Sequence, residues 1–437
     1  MASAYLTRTK TTPTNAKIFT ASVWVKKTGN DTSNGHYIID SQGGTSGAES
    51  TIAFEASQKL RFGEYSGGNI FNTVCDALFR DVHGWYHIVV AGDSTQGTAS
   101  NRVKIWVNGE LQSVSNSYPS QDHEFRLCKG SSVHDIGRWQ SGTSRYFDGQ
   151  MAHFHFVDGT AYTPTTFGET DSTTGIWKPK TSPSGVSYGN NGFWLKFDNS
   201  ANMGLDSAGS NNFTTNGTVI QTKDTPTNVF AAGNSLIKGT NGSSNINNTS
   251  TSGQNSWESL FGTLGVTAGK YYAEFKTGAT GTQAGVIDIE QAQTYDIYGG
   301  SQSRGWGYDS DGIIYNNGSN TGGTYASFTA GDVIGIALDM DNHKVYFHKN
   351  GTYQNSGNPT SGATGTGAKS ITSGYTYTFF FGAYNGNMSA NFGNGYFGTA
   401  AVASAQNPDD GIGIFEYDVP AGYRALCTTS LNATEYS

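Results

Sequence analysis

Charged residues, proline and cysteine are all scarce in this chain of 437 residues. Only 14% of the residues are charged, the formal net charge is −8, and Lys and Arg form no cluster. A nucleic-acid partner is therefore not expected, because neutralising phosphates requires a basic face. The three cysteines, Cys75, Cys128 and Cys427, are odd in number and far apart, which predicts buried free thiols rather than a disulfide framework or a thiolate metal site.

Long apolar runs are also missing. No stretch approaches the ~20 apolar residues needed to cross a bilayer, so we expect no membrane insertion. The first residues have no signal-peptide core. No window carries the apolar stripe of an amphipathic helix with a cap at either end, which argues against helices.

Glycine and aromatic residues are abundant instead, with 59 Gly, 24 Tyr, 24 Phe and 8 Trp. This composition suits short strands joined by tight turns and predicts an all-β protein. One pattern occurs twice. A buried strand (Trp85–Asp93, and again Gly331–Asp339) precedes an alternating strand that ends in Asn-Gly, the pair that turns a hairpin. The second strands are Arg102–Gly109 and Lys344–Gly351.

The repeated hairpin predicts two antiparallel jelly-roll sandwiches in tandem, one over residues 1–222 and one over residues 256–437. In the first, Gly192–Phe197 is expected to pair with the first strands and close the domain. In the second, Phe415–Leu426 is expected to be a closing strand. Residues 223–255 are rich in Gly, Ser, Asn and Thr, and form either a mobile linker or an arm ordered by lying along something else.

Two blocks resemble known domain families. Phe147–Phe154, together with Trp85–Asp93 and Arg102–Gly109, resembles the laminin-G-like, concanavalin A-like jelly roll. Gly269–Phe275, with Trp306-Gly307-Tyr308 and the second repeated hairpin, resembles the SPRY domain, which is also a concanavalin A-like sandwich.

The tandem order resembles a protein type common in phages of marine bacteria. The segments that carry this likeness are Ser22–Lys27, Phe167–Asp171, Ile176–Pro179, Asp224–Asn228 and Pro420–Thr429. The resemblance implies a non-enzymatic protein of the virion surface, either a capsid decoration or a tail fibre or other receptor-binding appendage, made in the bacterial cytoplasm. It also implies contacts with other virion proteins, a homo-oligomer, and contact with a host-surface glycan or protein.

Catalytic and metal-binding patterns are weak. The strand Val286–Glu290 is similar to the Glu-x-Asp-x-Glu strand of laminarinase-like glycosidases, but Val286 replaces the first acid, which removes the nucleophile. His153 and His155 share a strand face, without a third ligand nearby, and are better explained as structural histidines. Asp309–Gly312 has part of a calcium-loop pattern, but it lacks the bidentate acid and predicts a hairpin turn. We predict no enzyme activity, metal or cofactor.

Aromatic residues at loop edges are the candidate ligand contacts, because they could stack on sugar rings or on peptide. A soluble lectin or adhesin that binds bacterial surface polysaccharide is the alternative function, and a polysaccharide hydrolase is a weaker one. The candidate residues are Arg138, Trp139, Tyr308, Tyr315 and Tyr384.

Overall fold

The structure is a computed structural model that describes residues 4–29, 31–42, 47–140, 145–237, 243–245, 250–253, 255–292 and 298–434. The chain divides into two compact units, Met1–Gln221 and Thr222–Ser437. Each unit contains large antiparallel sheets, so the predicted all-β class is confirmed.

The first unit has two main sheets. Its strands are β1 (Tyr5–Thr9), β2 (Ile18–Lys27), β3 (His36–Gln42), β4 (Ala48–Phe54), β5 (Leu60–Ser66), β6 (Asn69–Cys75), β7 (Tyr86–Asp93), β8 (Val103–Val107), β9 (Glu110–Leu111), β10 (Val114–Ser117), β11 (Val133–Ile136), β12 (Gly149–Asp158), β13 (Gly168–Thr170), β14 (Trp177–Pro179), β15 (Phe193–Leu195) and β16 (Thr214–Asn216). One sheet has the order β10-β6-β5-β4-β3-β11-β1-β16, and the other β15-β12-β2-β7-β8-β9.

The core of the first unit lies between these sheets, because alternate residues of each strand face inward. Val23 and Phe156 from one sheet join Ile39 and Phe62 from the other in a single buried cluster. The predicted closing strand at 192–197 is placed differently from our expectation: β15 pairs with β12, and β12 in turn pairs with β2. The closing strand is therefore one position farther from the first strands than predicted.

The second unit repeats this plan with shorter strands. Its elements are β17 (Ser243–Asn245), β18 (Ser250–Ser252), β19 (Glu258–Phe261), β20 (Lys270–Thr277), β21 (Thr282–Asp288), β22 (Gly305–Asp309), β23 (Ile314–Asn316), β24 (Ser319–Asn320), β25 (Val333–Asp339), β26 (Lys344–Lys349), β27 (Thr352–Tyr353), β28 (Lys369–Ser370), β29 (Tyr377–Ala383), β30 (Asn387–Asn391), β31 (Tyr396–Phe397), β32 (Ala400–Ala401), β33 (Arg424–Ala425) and α1 (Thr428–Thr434). The larger sheet has the order β17-β18-β30-β20-β25-β26-β27, with β28 on β26 and β33 on β20; the smaller sheet has the order β19-β29-β21-β22-β23-β24.

In two regions of the second unit, the structure differs from what the sequence predicts. The expected strand Phe415–Leu426 is reduced to β33, which pairs in parallel with β20, and the chain then enters the short helix α1. Within the polar segment 223–255, β18 pairs with β30, and Phe230 is buried. The described parts of that segment thus belong to the second unit.

The repeated hairpin is built the same way in both units. At Asn108 and Gly109 the φ angles are +51° and +87°, and at Asn350 and Gly351 they are +49° and +81°. Both residues of a type I′ turn require positive φ, which Asn and Gly adopt most easily. Each Asn Oδ1 also accepts a backbone N–H from the preceding strand, His87 N or Val333 N, at 2.8 Å.

The three cysteines are buried and free, as predicted. Across the described ranges, no helix has the length and apolar character of a membrane span.

Candidate functional site

Four aromatic side chains form a row across the strands of the smaller sheet in the second unit. We define the aromatic row as Tyr384, Trp257, Tyr298 and Tyr315. Successive ring centroids are 6.1, 5.3 and 5.9 Å apart, and the rings are inclined to one another by 57°, 44° and 77°. Tyr384 is 41% exposed, and the other three are half-buried. The tilted rings leave several separate aromatic faces instead of one flat platform.

Strand pairing brings the first two members together. Glu258 is opposite Ala383 in the antiparallel pair of β19 and β29, so Trp257 and Tyr384 meet just beyond this last pair. The backbone N–H of Tyr384 donates to Gly281 O at 2.8 Å, which anchors the end of β29.

Gly300 helps to position the other two members, Tyr298 and Tyr315. The backbone N–H of Gly300 donates to the buried Gln283 Oε1 at 3.0 Å, and this contact fixes the 3-10 turn that follows Tyr298. A Cβ atom at Gly300 would lie 2.8 Å from Tyr315 Cβ, so only glycine fits there without displacement. On β23, Ile314 enters the core and Tyr315 therefore points to the opposite face.

Acidic groups lie at one end of the row. The Tyr315 hydroxyl donates to Asp311 Oδ2 at 3.1 Å. Burial, followed by this hydrogen bond, raises the pKa of Tyr315 to about 12. Burial, followed by the nearby Asp311 carboxylate, raises the pKa of Asp309 to about 6. Asp309 ends β22 and Asp311 lies in the turn that leads to β23, as the hairpin interpretation of Asp309–Gly312 predicted.

Tyr308 is not a surface residue, and its choice as a ligand contact is wrong. Its side chain is 0% exposed and lies in the core with Phe328 and Phe347. Its hydroxyl donates to the backbone carbonyl of Ala326. Tyr308 and Tyr315 lie on opposite faces of neighbouring strands, which the turn between them conceals in the sequence.

Arg138 and Trp139 lie in the first unit, and their aromatic contacts are internal. The Arg138 guanidinium is 3.5 Å from the centroid of the Tyr5 ring and forms an ion pair with Asp135 at 2.7 Å. The guanidinium of Arg145 covers Trp139 at 4.4 Å, and Trp139 Nε1 donates to a carboxylate, that of Glu49.

The carboxylates considered for glycoside hydrolysis do not form a pair across a cleft. Asp288 is buried at the end of β21 and binds Arg304 Nε at 2.6 Å. Glu290 lies beyond the strand and is exposed, so the two acids do not share a strand face.

The paired histidines pack against aromatic rings. His155 stacks on Trp194 with 4.9 Å between centroids, and its Nδ1 lies 2.8 Å from the Tyr188 hydroxyl. A β-bulge precedes His155, and His153 has a φ of +47° there. Burial lowers the pKa of both histidines. In the described part of the chain, no group of three or more His, Cys, Asp or Glu side chains is arranged to hold a metal.

A buried Ser–His pair in the first unit has the wrong proton arrangement for a nucleophile. Ser22 Oγ lies 2.8 Å from His87 Nε2, and Trp177 Nε1 donates to His87 Nδ1 at 2.9 Å. Because Nδ1 accepts, the neutral ring carries its proton on Nε2, which donates to Ser22 instead of deprotonating it.

Sequence reasoning missed Trp257 and Tyr298. Trp257 closes a polar tract, and Tyr298 is surrounded by Gly and polar residues, so neither lies in an alternating pattern. The only available signal was the presence of large aromatic side chains in otherwise polar segments, which is weak in so aromatic a chain.

Two family models match the chain. Residues 2–166 match the concanavalin A-like lectin/glucanases superfamily, and residues 270–394 match the SPRY domain. The chain thus carries a concanavalin A-like domain followed by a SPRY domain. Domains of these kinds are typically protein- or carbohydrate-binding modules.

Individual relatives cover only parts of the chain. The dual specificity protein kinase splA of Dictyostelium discoideum is 33% identical over 84 residues, which are 19% of this chain and 3% of that protein. The SPRY domain of human HERC1 is 23% identical, with a TM-score of 0.26, over 32% of this chain and 87% of that one. A heptameric SAP-like pentraxin of Limulus polyphemus is 17% identical, with a TM-score of 0.28, over 37% of this chain and 71% of that one.

Proposed function

We propose that this chain is a non-enzymatic binding protein and that the aromatic row is its contact surface. The observation that carries the proposal is the row itself: four large rings side by side, one of them 41% exposed, on a surface built with glycines. Partly exposed aromatic clusters of this kind provide much of the binding energy at protein and carbohydrate interfaces. Tyr315 and Tyr384, both predicted as ligand contacts, belong to it.

We further propose that the protein acts on a phage virion surface, as a capsid decoration or a tail appendage. The likeness of the tandem order to phage proteins of marine bacteria supports this location. In that setting its partners are other virion proteins, further copies of this chain, and a glycan or protein of the host surface. Electron microscopy of the purified particle with this chain located by labelling tests the proposal. A particle that lacks the chain would refute the virion role while leaving the binding role intact.

The binding role is tested with the purified full chain on glycan and peptide arrays. We expect Trp257→Ala to weaken binding of the recognised probe by about tenfold or more, as for a central aromatic contact. Trp139→Ala is the matched control, because its ring is already covered by Arg145. Binding that is lost in the Trp139 variant but kept in the Trp257 variant contradicts the proposal.

A soluble lectin or adhesin is the second candidate function, because aromatic rings also stack on sugar rings. It uses the same row, so the glycan arm of the array separates it from a protein-binding role. A polysaccharide hydrolase would release reducing ends, and this activity would disappear when Asp288 or Glu290 is changed. The positions of these two acids do not favour a hydrolase.

A further inference from the structure

The negative charge of the chain is concentrated in the second unit. Residues 222–437 contain nine Lys and Arg against sixteen Asp and Glu, a net charge of −7, whereas residues 1–221 contain seventeen against eighteen, a net charge of −1. All members of the aromatic row come from segments that lack Lys and Arg entirely. These segments are 239–269, 277–303, 305–343 and 370–423.

Elsewhere on the protein, several surface rings are covered by a cation of the chain itself. The pairs are Arg138 over Tyr5, Arg145 over Trp139, and Arg304 over Tyr375, with the cation 3.5 to 4.4 Å from the ring centroid. An aromatic face attracts a cation because its π-electrons make it electrostatically negative. In the described part of the chain, no Lys or Arg occupies a face of the aromatic row in this way.

Two tyrosines of the second unit make the contrast direct. Tyr375 is 36% exposed, and the Arg304 guanidinium lies 4.1 Å from its ring centroid. Tyr384 is 41% exposed, and its ring contacts Trp257. The two side chains have nearly equal exposure, but among the described residues only Tyr375 has a Lys or Arg over its ring.

We propose that the aromatic row receives an arginine side chain of a partner protein, which takes the position that an internal cation occupies at the other rings. This inference rests on the proposed function, since it names the ligand of the same surface. The tilted rings offer several faces on which a guanidinium can bind, and at the Tyr315 end of the row the exposed Asp311 carboxylate can accept the N–H groups of a bound arginine. The charge of −7 on this unit draws a basic segment towards it.

The test uses the full chain labelled with 5-fluorotryptophan, with the Trp257 signal in the ¹⁹F spectrum assigned from Trp257→Phe. A Gly/Ser peptide carrying several arginines is titrated beside the same peptide with citrulline, which keeps the shape of arginine but has no charge. A neutral oligosaccharide forms the third arm. We expect the arginine peptide alone to shift the Trp257 signal.

Variants sharpen the test. Tyr384→Ala and Asp311→Asn are expected to weaken arginine-peptide binding by about threefold to thirtyfold, the range of a cation–π or charge-assisted contact. Tyr375→Ala, at a ring that already has a cation, is expected to leave it unchanged. The comparison of peptides on the unaltered chain does not depend on whether a variant folds.

Equal shifts with the arginine and citrulline peptides, or a shift with the oligosaccharide alone, overturn the arginine proposal and leave the binding role of the row in place. If no probe of the three classes moves the Trp257 signal, and the arrays also show no binding that depends on Trp257, both proposals fail.

Discussion

The aromatic row of the second unit differs from the surface aromatic rings of the first unit in having no Lys or Arg of the described chain over it, although Tyr375 of the second unit does have one. The two units also differ in the balance between buried histidines and buried acids. In the first unit, Arg145 covers Trp139 and Arg138 covers Tyr5, so these rings are used internally. In the second unit, the aromatic row has no such partner among the described residues, and the unit is strongly acidic. An aromatic residue is therefore a poor indicator of a ligand site when an arginine of the same chain covers its ring. That arginine need not be the sequence neighbour, since Arg145 and not the adjacent Arg138 covers Trp139.

The largest expected difference between the units is their response to acid. Burial lowers the pKa of five histidines in the first unit, with His87 reaching about 3 and His36 about 4. Such groups stabilise the fold above their ordinary pKa near 6.5, and this stability is lost as the pH falls towards the folded-state value. The other three are His134, His153 and His155.

The acids of the second unit act in the opposite direction. Burial raises the pKa of Glu274 to about 7 and that of Asp309 to about 6, so their contribution to stability is present at low pH and is lost as the pH rises through these values. Their effect on the pH dependence of stability is opposite in sign to that of the buried His348, whose pKa is lowered to about 3. In the first unit, Asp40, with its pKa raised to about 7, offsets only part of the effect of the histidines.

We therefore expect the free energy of unfolding of the first unit to fall by on the order of several kcal/mol between pH 7 and pH 5, because each unit of pKa shift corresponds to about 1.4 kcal/mol. The free energy of unfolding of the second unit should change little over the same range. Hydrogen exchange of the full chain, followed by mass spectrometry and corrected for intrinsic rates, reports each unit separately. Equal loss of protection in both units contradicts this contrast.

A smaller effect separates the two tyrosines that frame the Asp309–Gly312 turn. Tyr308→Ala removes a fully buried ring and should lower the free energy of unfolding by about 3–5 kcal/mol, as for other large-to-small core changes. Tyr315→Ala, at a partly exposed ring, should cost less than about 1 kcal/mol. Denaturant unfolding measures both values. Similar costs for the two variants would show that the assignment of one tyrosine to the core and the other to the surface is mistaken.

The smallest expected effect comes from removing the cation that covers a ring, which tests whether the face of that ring then becomes accessible to a ligand. Arg145→Ala should cost about 0.5–1 kcal/mol, the value of an exposed cation–π contact. It should also let the arginine peptide shift the ¹⁹F signal of Trp139, a shift that we do not expect in the unaltered chain, where Arg145 covers the ring. Arg61→Ala, at a partly buried arginine that covers no aromatic ring in the described structure, is the control. A Trp139 signal that stays unresponsive after Arg145 is removed indicates that shape, and not the internal cation, closes this site.

Much of the fold was predictable because its determinants are local. Alternation along Arg102–Gly109 and Lys344–Gly351 sets which side chains enter the core, and Asn-Gly sets the turn that follows. The weaker predictions concern pairing. The partner of 192–197 and the extent of the strand within 415–426 depend on which distant strand edge is free, and a local pattern does not carry that information.

The sequence by itself determined the all-β class, the two repeated hairpins, the free cysteines and the acidity of the second half, since composition and a period of two residues are local properties. Only the tertiary structure decided which aromatic rings are accessible at the surface without a cation of the chain over them. Trp257 and Tyr384 meet through the pairing of β19 with β29, while Tyr308 and Tyr315, close in the sequence, lie on opposite faces of the sheet. The exposure of a ring depends on what packs over it, and that neighbour is often remote along the chain.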